Sequence, residues 1–516
     1  MVGVSYLRVV ILAWLAISLG CDRLPDNPLA HRPARAKTPT KVRARHSIFD
    51  DAYRFTCSRD RTIGCDGVFP VRRADADTSR VALLTHGEDS LRARIATLRA
   101  ARRSVRIQAL IFRADETGLL VAELLKQKKA AGLDVRVIVD ATSNLDWQTQ
   151  WMYFDLKRNG IEVEGYEALY MQWLTADLVA NDPLRANKRF HDKMWVIDGE
   201  DPATGVAIVG GLNIANEYFR VATTPLERWR DQDVLVRGPI VGDVVHAFDR
   251  NFDYFEGLKN RLPSMFNPNN AWQRARDVEA RIGRVRSPTW SRPALRQAME
   301  RILAETPTLE PVPVVARFLQ SRPRHEESYI EQAYLDLIGR AQHRVFIANA
   351  YFVPPRAVIE ALHAAARRGV EIVVVTNSPT TNDIAAVATA SRWLDQRVLE
   401  VNQEPAMRGK PGITIREWDG PSRDEGTLHA KFAVADGSEA IIGSYNLDPR
   451  SQRLNSETAL AIQSPVAAGE LERWFRDEYV TKSTAMTWAE AQRYHNAQDA
   501  EGAFQLAYSL SLREWL

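Results

Sequence analysis

The sequence predicts an α/β fold: two duplicated α-β-α sandwich domains packed about a pseudo-two-fold axis, with one site shared between them. Three observations predict it. Strand-like runs recur in pairs, each pair separated by a helical stretch, at a nearly constant distance along the chain. A short polar pattern, His-x-Lys, recurs at that same distance. A proline-rich stretch suited to a linker lies between the copies. The chain has 516 residues, too many for one hydrophobic core. Its 45% apolar and 26% charged content is ordinary for a globular protein, and a net charge of +3 argues neither for nor against nucleic acid.

The first element is a leader. Arg8 precedes the apolar run "VVILAWLAISLG", which is too short for a comfortable membrane span. Residues 1–20 therefore read as a signal peptide. Cys21 follows directly and resembles the lipidated cysteine of bacterial lipoproteins; Gly20 fits that pattern, whereas Ser18 and Leu19 depart from it. Residues 21–75 read as a basic, Pro/Arg-rich tether, either lying on anionic headgroups or acting as a soluble spacer. Cys57 and Cys65 predict a disulfide in an exported chain; free thiols in a cytoplasmic one are the alternative. The sequence has no Cys-x-x-Cys and no His-Glu-x-x-His pattern, so no metal and no cofactor is expected.

Repeat one is expected over residues 76–262 and repeat two over 326–516. "VRIQALIF" (105–112) answers "VFIANAYF" (345–352) at an offset of 240, and "GLDVRVIVD" (132–140) answers "GVEIVVVTN" (369–377) at an offset of 237. The helical stretches "GLLVAELLKQKKAA" and "RAVIEALHAAARR" separate the strands of each pair, which implies βαβ crossovers and a mostly parallel sheet. Residues 263–325 hold eight prolines and read as the linker.

The third match carries the chemistry. "RFHDKMWVID" (189–198) answers "TLHAKFAVAD" (427–436), with the histidines 238 residues apart. "GGLN" (210–213) answers "GSYN" (443–446). Histidine and lysine two apart on a strand point the same way. Lysine supplies an ammonium donor, asparagine an amide donor, and a glycine turn admits close backbone approach; together they suit phosphate. One His-x-Lys means little, because a lone histidine is usually packed or solvated. Two copies brought together would set His191, Lys193 and Asn213 opposite His429, Lys431 and Asn446. Two histidines across one phosphate make a nucleophile and a general acid.

The spacing resembles the phospholipase D superfamily: His-x-Lys, four residues, Asp, six residues, Gly-Ser-x-Asn. Repeat two fits throughout with His429, Lys431, Asp436, Gly443, Ser444 and Asn446. Repeat one fits at His191, Lys193 and Asp198, then departs: eleven residues separate Asp198 from Gly210, and Gly211 stands where serine is usual. "GGLNIANEYF", "WRDQDVLVRGP", "YFVPPRAVIEALHAAARRGV" and "GSYNLDPRSQRLNSE" resemble bacterial cardiolipin synthases of the phospholipase D type. The resemblance implies catalytic roles for His191, Lys193, Asp198, His429, Lys431 and Asp436, the two aspartates being structural or assisting late steps. It implies phosphate binding by Asn213, Asn446, Ser444 and Gly211. It implies that Asp231 and Glu457 orient the histidines, with His191 the nucleophile and His429 the acid.

The implied activity is a membrane-associated phosphatidyltransferase acting through a phosphohistidine. Its partners would be phospholipids, phosphatidylglycerol first and phosphatidylethanolamine as a further candidate, at a membrane surface on the periplasmic side of the cell envelope. No nucleic acid and no protein partner is expected. The alternatives are a phospholipase D that hydrolyses its intermediate to phosphatidic acid, a secreted phosphodiesterase or nuclease of the same superfamily, and a non-catalytic membrane scaffold. Trp147, Trp151 and Phe154 have the spacing of a core-facing helix. The run of Tyr166, Leu169, Tyr170, Met171, Trp173 and Leu174 suits either the core or an acyl-chain channel. The C-terminal residues suggest helices of no assigned role.

Overall fold

The computed structural model describes residues 46–57, 64–73, 79–140, 143–144, 146–166, 189–261, 292–306, 309–322, 325, 327–420, 422 and 424–496. The predicted signal peptide, Cys21, the 169–174 aromatic run, most of the expected linker and the last twenty residues lie outside them.

The first half contains β1 (Arg80–Leu84), β2 (Ser104–Ala109), β3 (Asp134–Asp140), β4 (Glu162–Tyr166), β5 (Arg189–Phe190), β6 (Met194–Ile197), β7 (Val206–Gly210) and β8 (Asp233–Arg237). Its helices are α1 (Gly87–Ala100), α2 (Glu116–Ala130), α3 (Trp147–Arg158) and α4 (Ile240–Arg261), followed by α5 (Pro293–Ala304). After β9 (Val312–Pro313), the second half contains β10 (Val315–Ser321), β11 (Arg344–Asn349), β12 (Glu371–Asn377), β13 (Ile413–Trp418), β14 (Lys431–Ala435), β15 (Glu439–Gly443), β16 (Asn455–Gln463) and β17 (Ser483–Ala485). Asp115 caps α2, its side chain accepting the Gly118 N–H, and Lys128 and Lys129 sit in the last turn, where the helix dipole favours cations.

The described strands form two sheets, ordered β4-β3-β2-β6-β7-β8-β1-β9 and β10-β16-β15-β14-β11-β12-β13-β17, with β5 pairing β16. The parallel part of each sheet is what the βαβ reading expects: β2-β3-β4 and β11-β12-β13. The expectation of a mostly parallel sheet is corrected. β6, β7, β8 and β1 pair antiparallel, as do β11, β14, β15, β16 and β10. The links from β6 to β7 and β14 to β15 are short turns, and short turns can join only antiparallel neighbours.

The central strands are largely apolar because both faces are covered. In β14, Phe432 and Val434 enter the core between the sheets, while Ala433 and Ala435 face the outer helices of the second half. In β6, Met194 and Val196 face the shared core, and Trp195 and Ile197 face the helices of the first half. The shared core is filled further by Val244, Phe248 and Phe252 of α4 and by Leu471 and Phe475 from the second half. Phe154 of α3 is buried, as its spacing predicts, and Trp151 packs edge-on against it at 5.4 Å.

Two expected boundaries are corrected. The tether does not extend to residue 75: Ile48, Phe49 and Phe55 join the second-half core, and Phe69 joins the shared one. Residues 68 and 72 bridge antiparallel to Leu319 and Ala316, covering the otherwise open edge of β10. Cys57 and Cys65 are joined by a disulfide in this segment. The second half also begins before residue 326, because β10 pairs along its length with β16. The prolines drew that strand into the expected linker; Pro313 in fact lies in β9, which pairs with β1. Also in that stretch, α5 sets Leu295 and Met299 on the first-half core.

Candidate active site

Each His-x-Lys pair enters a strand near the middle of its sheet, β6 or β14. The backbone there is stitched to the opposite half. β5 runs parallel to β16, and the His191 N–H donates to the Ser456 carbonyl at 2.8 Å. In the other half Arg230 N–H donates to Thr427 O (2.8 Å), and His429 N–H donates to Arg230 O (2.7 Å). Each histidine therefore lies one residue from the acid of the other repeat.

The consequence is a crossed pair of dyads. His191 Nδ1 contacts Glu457 at 3.0 Å (Oε1) and 2.8 Å (Oε2), and His429 Nδ1 contacts Asp231 Oδ2 at 2.6 Å. An ionised carboxylate accepts, so Glu457 takes the Nδ1–H of His191 and leaves Nε2 outside the dyad, and the Nδ1 of His429 faces Asp231 in the same way. His191 is 6% exposed and His429 4%, so both rings are nearly withdrawn from solvent. Lys193 Nζ donates to the His191 carbonyl at 2.8 Å, and Lys431 Nζ to that of His429.

The amides complete the cradle. Asn213 Oδ1 accepts the Ile111 N–H at 3.1 Å, while its Nδ2 is buried without a hydrogen-bond partner in the described residues. Asn446 Oδ1 is likewise buried without one, and Asn446 N–H donates to Ser451 Oγ at 3.1 Å. Buried polar atoms left unmatched are costly, and a bound phosphate would accept from the Asn213 amide.

The two dyads differ in electrostatics. Burial alone would push Glu457 up, but His191, Lys193 and the Ser444 hydroxyl outweigh it and hold the carboxyl below its usual range. Asp231 is pushed up to about 8, by burial first, with Lys431 opposing and Asp233 adding to it. Burial lowers His191 to about 4 and takes His429 well below its ordinary value, the lysines adding to both shifts. Burial also lowers Lys193 to about 7 and Lys431 to about 8.

Three expected site residues are placed elsewhere. Asp198 accepts the backbone N–H groups of Arg102, Arg103 and Ser104, and Asp436 those of Gln342, His343 and Arg344. Both sit at the far end of their strands from histidine, at φ 51° and 52°, where a short polar side chain tolerates the left-handed turn. They anchor the entry to β2 and β11 and do not touch the cradle. Ser444 is turned away too: its hydroxyl donates to Glu457 and accepts the Thr458 N–H at 3.0 Å. Gly211 explains itself by the same comparison, since a Cβ there would collide with the Asp231 carboxylate. The longer Glu457 leaves room for a serine at its side; the shorter Asp231 packs against bare backbone.

Sequence reasoning missed the aromatic wall around His429. Tyr218, Trp229 and Tyr351 lie 5.1, 5.4 and 6.3 Å from its ring centroid. It also missed Asn349, opposite Lys431 in the ladder, whose Oδ1 accepts the Leu447 N–H and whose Nδ2 is buried without a partner in the described residues. Asn349 has Ala109 as its counterpart in the other repeat, so duplication gave no signal for it.

The family model described as "Cardiolipin synthase, PLD-like domain" matches residues 95–254 and 334–479. The chain is 29% identical over 409 residues to cardiolipin synthase C of Escherichia coli (strain K12), covering 75% of this chain and 82% of that protein. It is 27% identical over 402 residues to a cardiolipin synthase of Geobacillus kaustophilus (strain HTA426), covering 78% of this chain and 66% of that one. The crystal structure of phosphatidylserine synthase from Haemophilus influenzae Rd KW20 shares the fold, with TM-score 0.59 and 18% identity over 87% of this chain and 97% of that one.

Proposed function

The chain belongs to the phospholipase D-like family of cardiolipin synthases, and from that premise we propose that it moves a phosphatidyl group between phospholipids through a phosphohistidine. The crossed dyads carry this reading. Two buried histidines, each fixed at Nδ1 by the other half, leave two Nε2 atoms for one phosphate. The carboxylates divide the roles. Glu457 stays ionised and makes His191 Nε2 the stronger nucleophile, whereas the His429–Asp231 dyad, with Asp231 raised to about 8, retains a proton near neutrality.

In the first step His191 Nε2 attacks the donor phosphorus. An N–P bond forms, the P–O bond to the headgroup breaks, and the proton from the His429 dyad goes to the leaving alkoxide. In the second step a hydroxyl of phosphatidylglycerol gives its proton back to His429 and attacks the phosphorus. The new O–P bond replaces the N–P bond, and cardiolipin leaves. Lys193, Lys431 and the Asn213 amide stabilise the charge that spreads over the non-bridging oxygens. Cleavage after Gly20 with a lipid on Cys21 would hold the enzyme at the membrane that carries its substrates.

Purified protein incubated with vesicles of phosphatidylglycerol and phosphatidylethanolamine tests the reading by lipid chromatography. Cardiolipin is the expected product. Phosphatidic acid alone would replace transfer by hydrolysis, and neither product would sink the lipid assignment. Membrane fractionation of wild type and Cys21→Ala tests the anchor: the variant should shift to the soluble fraction, and an unchanged membrane fraction would refute lipid anchoring.

A further inference from the structure

The pseudo-two-fold symmetry of the motifs is broken in charge on one side of the site. Arg189 stands two residues before His191, so on the extended entry to β6 it alternates onto the face of His191 and Lys193. The parallel register sets Arg189 opposite Asn455, whose Nδ2 donates to Glu457 at 3.2 Å. Arg450 comes to the same place from the other half, in the short helix Pro449–Arg453; its carbonyl accepts the N–H of Leu454, the neighbour of Asn455, at 2.8 Å. The Arg189 charge adds to burial in lowering Arg450 to about 10. Asp140, 3.6 Å from Arg189, and Asp448 stand beside the pair, and burial raises Asp448 to about 7. At the positions equivalent by repeat the chain has Thr427 for Arg189 and Glu217 for Arg450. Glu217 is engaged by Arg113 at 2.6 Å.

A phosphate held between the histidines sees both halves alike and needs no such asymmetry. A second phosphate does. One glycerol bridges the two phosphates of cardiolipin, so the acceptor's own phosphate must sit beside the phosphohistidine, off the axis. We propose that Arg189 and Arg450 form the subsite for this second phosphate, the phosphodiester of the acceptor phospholipid. The inference rests on the transferase reading above and adds where the acceptor is recognised. Guanidinium forks from opposite halves match a phosphodiester's two free oxygens.

The test is a competition between two acceptors for one phosphoenzyme. Vesicles of phosphatidylglycerol are incubated with enzyme and ethanol, and the ratio of cardiolipin to phosphatidylethanol is read. Ethanol has no phosphate, so the ratio reports acceptor recognition whatever happens to the donor step. Arg189→Gln and Arg450→Gln should each lower the ratio about tenfold or more, the worth of one charge-assisted contact. Arg189→Lys and Arg450→Lys should lower it less, and they carry the test should the glutamine variants fail to fold. An unchanged ratio in all four overturns the subsite. Inhibition by inorganic phosphate that is relieved in Arg450→Gln, with the ratio untouched, would assign the arginines to a free anion instead and also overturn it. A wild type that forms neither product overturns the transferase reading beneath it, an outcome visible before any variant is made.

Discussion

The two dyads look alike in sequence and differ in support. Glu457 accepts from His191, Ser444, Ser451 and Asn455, the last two at 2.7 and 3.2 Å. Asp231 has the contact with His429 Nδ1 and accepts the Gln232 N–H at 2.8 Å. Both carboxylates are buried, so the number of donors decides which stays charged. Duplication produced two equal histidines; their unequal surroundings are what the proposed division into a base-like and an acid-like partner rests on. The aromatic wall adds to this, because of the two site histidines only His429 has ring contacts among the described residues.

The largest expected effect separates the histidines. His191→Asn should lose cardiolipin formation by about 10⁴-fold or more, as removal of a nucleophile does. His429→Asn should lose about 10³-fold on a natural donor. It should recover much of that on phosphatidyl-p-nitrophenol, whose leaving group needs no proton. If His191→Asn is the variant recovered by the activated donor, the roles are reversed. Chelators should leave wild-type activity unchanged, and inhibition by them would falsify the metal-free scheme.

The next effect separates the acids: both variants lose activity, and their stability changes have opposite signs. Glu457→Gln should cost about 10³-fold in activity and Asp231→Asn about 10²-fold. Asp231 has a folded value of about 8, above the 3.8 it has when exposed. Its native state therefore holds a proton that the unfolded chain releases between those values, so the stability it contributes is lost as pH rises from about 4 to 8. Asp231→Asn escapes that loss. Its melting temperature should match wild type near pH 4 and exceed it by several degrees at pH 8. Glu457 is depressed below 4.5, so its contribution is present above that value and lost on acidification. Glu457→Gln should lower the melting temperature at pH 7, with the gap closing toward pH 4. Calorimetry across this range checks both, and a parallel response of the two variants would erase the distinction between the dyads.

How much of this was legible follows from what duplication preserves. His191, Lys193, Asn213 and their counterparts stood out because a local pattern occurs twice. The crossed pairing did not, because it depends on β5 running beside β16 and on Arg230 lying beside Leu428, contacts 198 and 266 residues apart for the two dyads. The antiparallel strands were hidden by their apolar runs, since a strand buried on both faces reads the same in either direction. β10 was hidden by neighbouring prolines, and the packing of Phe55 and Phe69 by the basic composition around them. Asp198 and Asp436 were legible as motif members but not as anchors, because their role lies in three backbone N–H groups that the motif spacing does not mention.

The smallest expected effect tests whether the acid and its neighbour evolved as a unit. Ser444 gives Glu457 a hydrogen bond, so Ser444→Ala should cost about 1 kcal/mol of support to the carboxylate and only a few-fold in activity. The reciprocal change is not mild. A side chain at Gly211 would enter the space of the Asp231 carboxylate, so Gly211→Ser must displace the group that fixes His429. Activity should fall about tenfold or more, because the histidine loses its fixed tautomer and orientation. Transplanting the whole unit removes the conflict in one direction only. The double variant Gly211→Ser with Asp231→Glu restores the serine–glutamate arrangement of the other dyad and should recover part of the loss. Equal damage from Ser444→Ala and Gly211→Ser, or a double variant no better than the single, would mean that the two dyads do not differ in the way their packing implies.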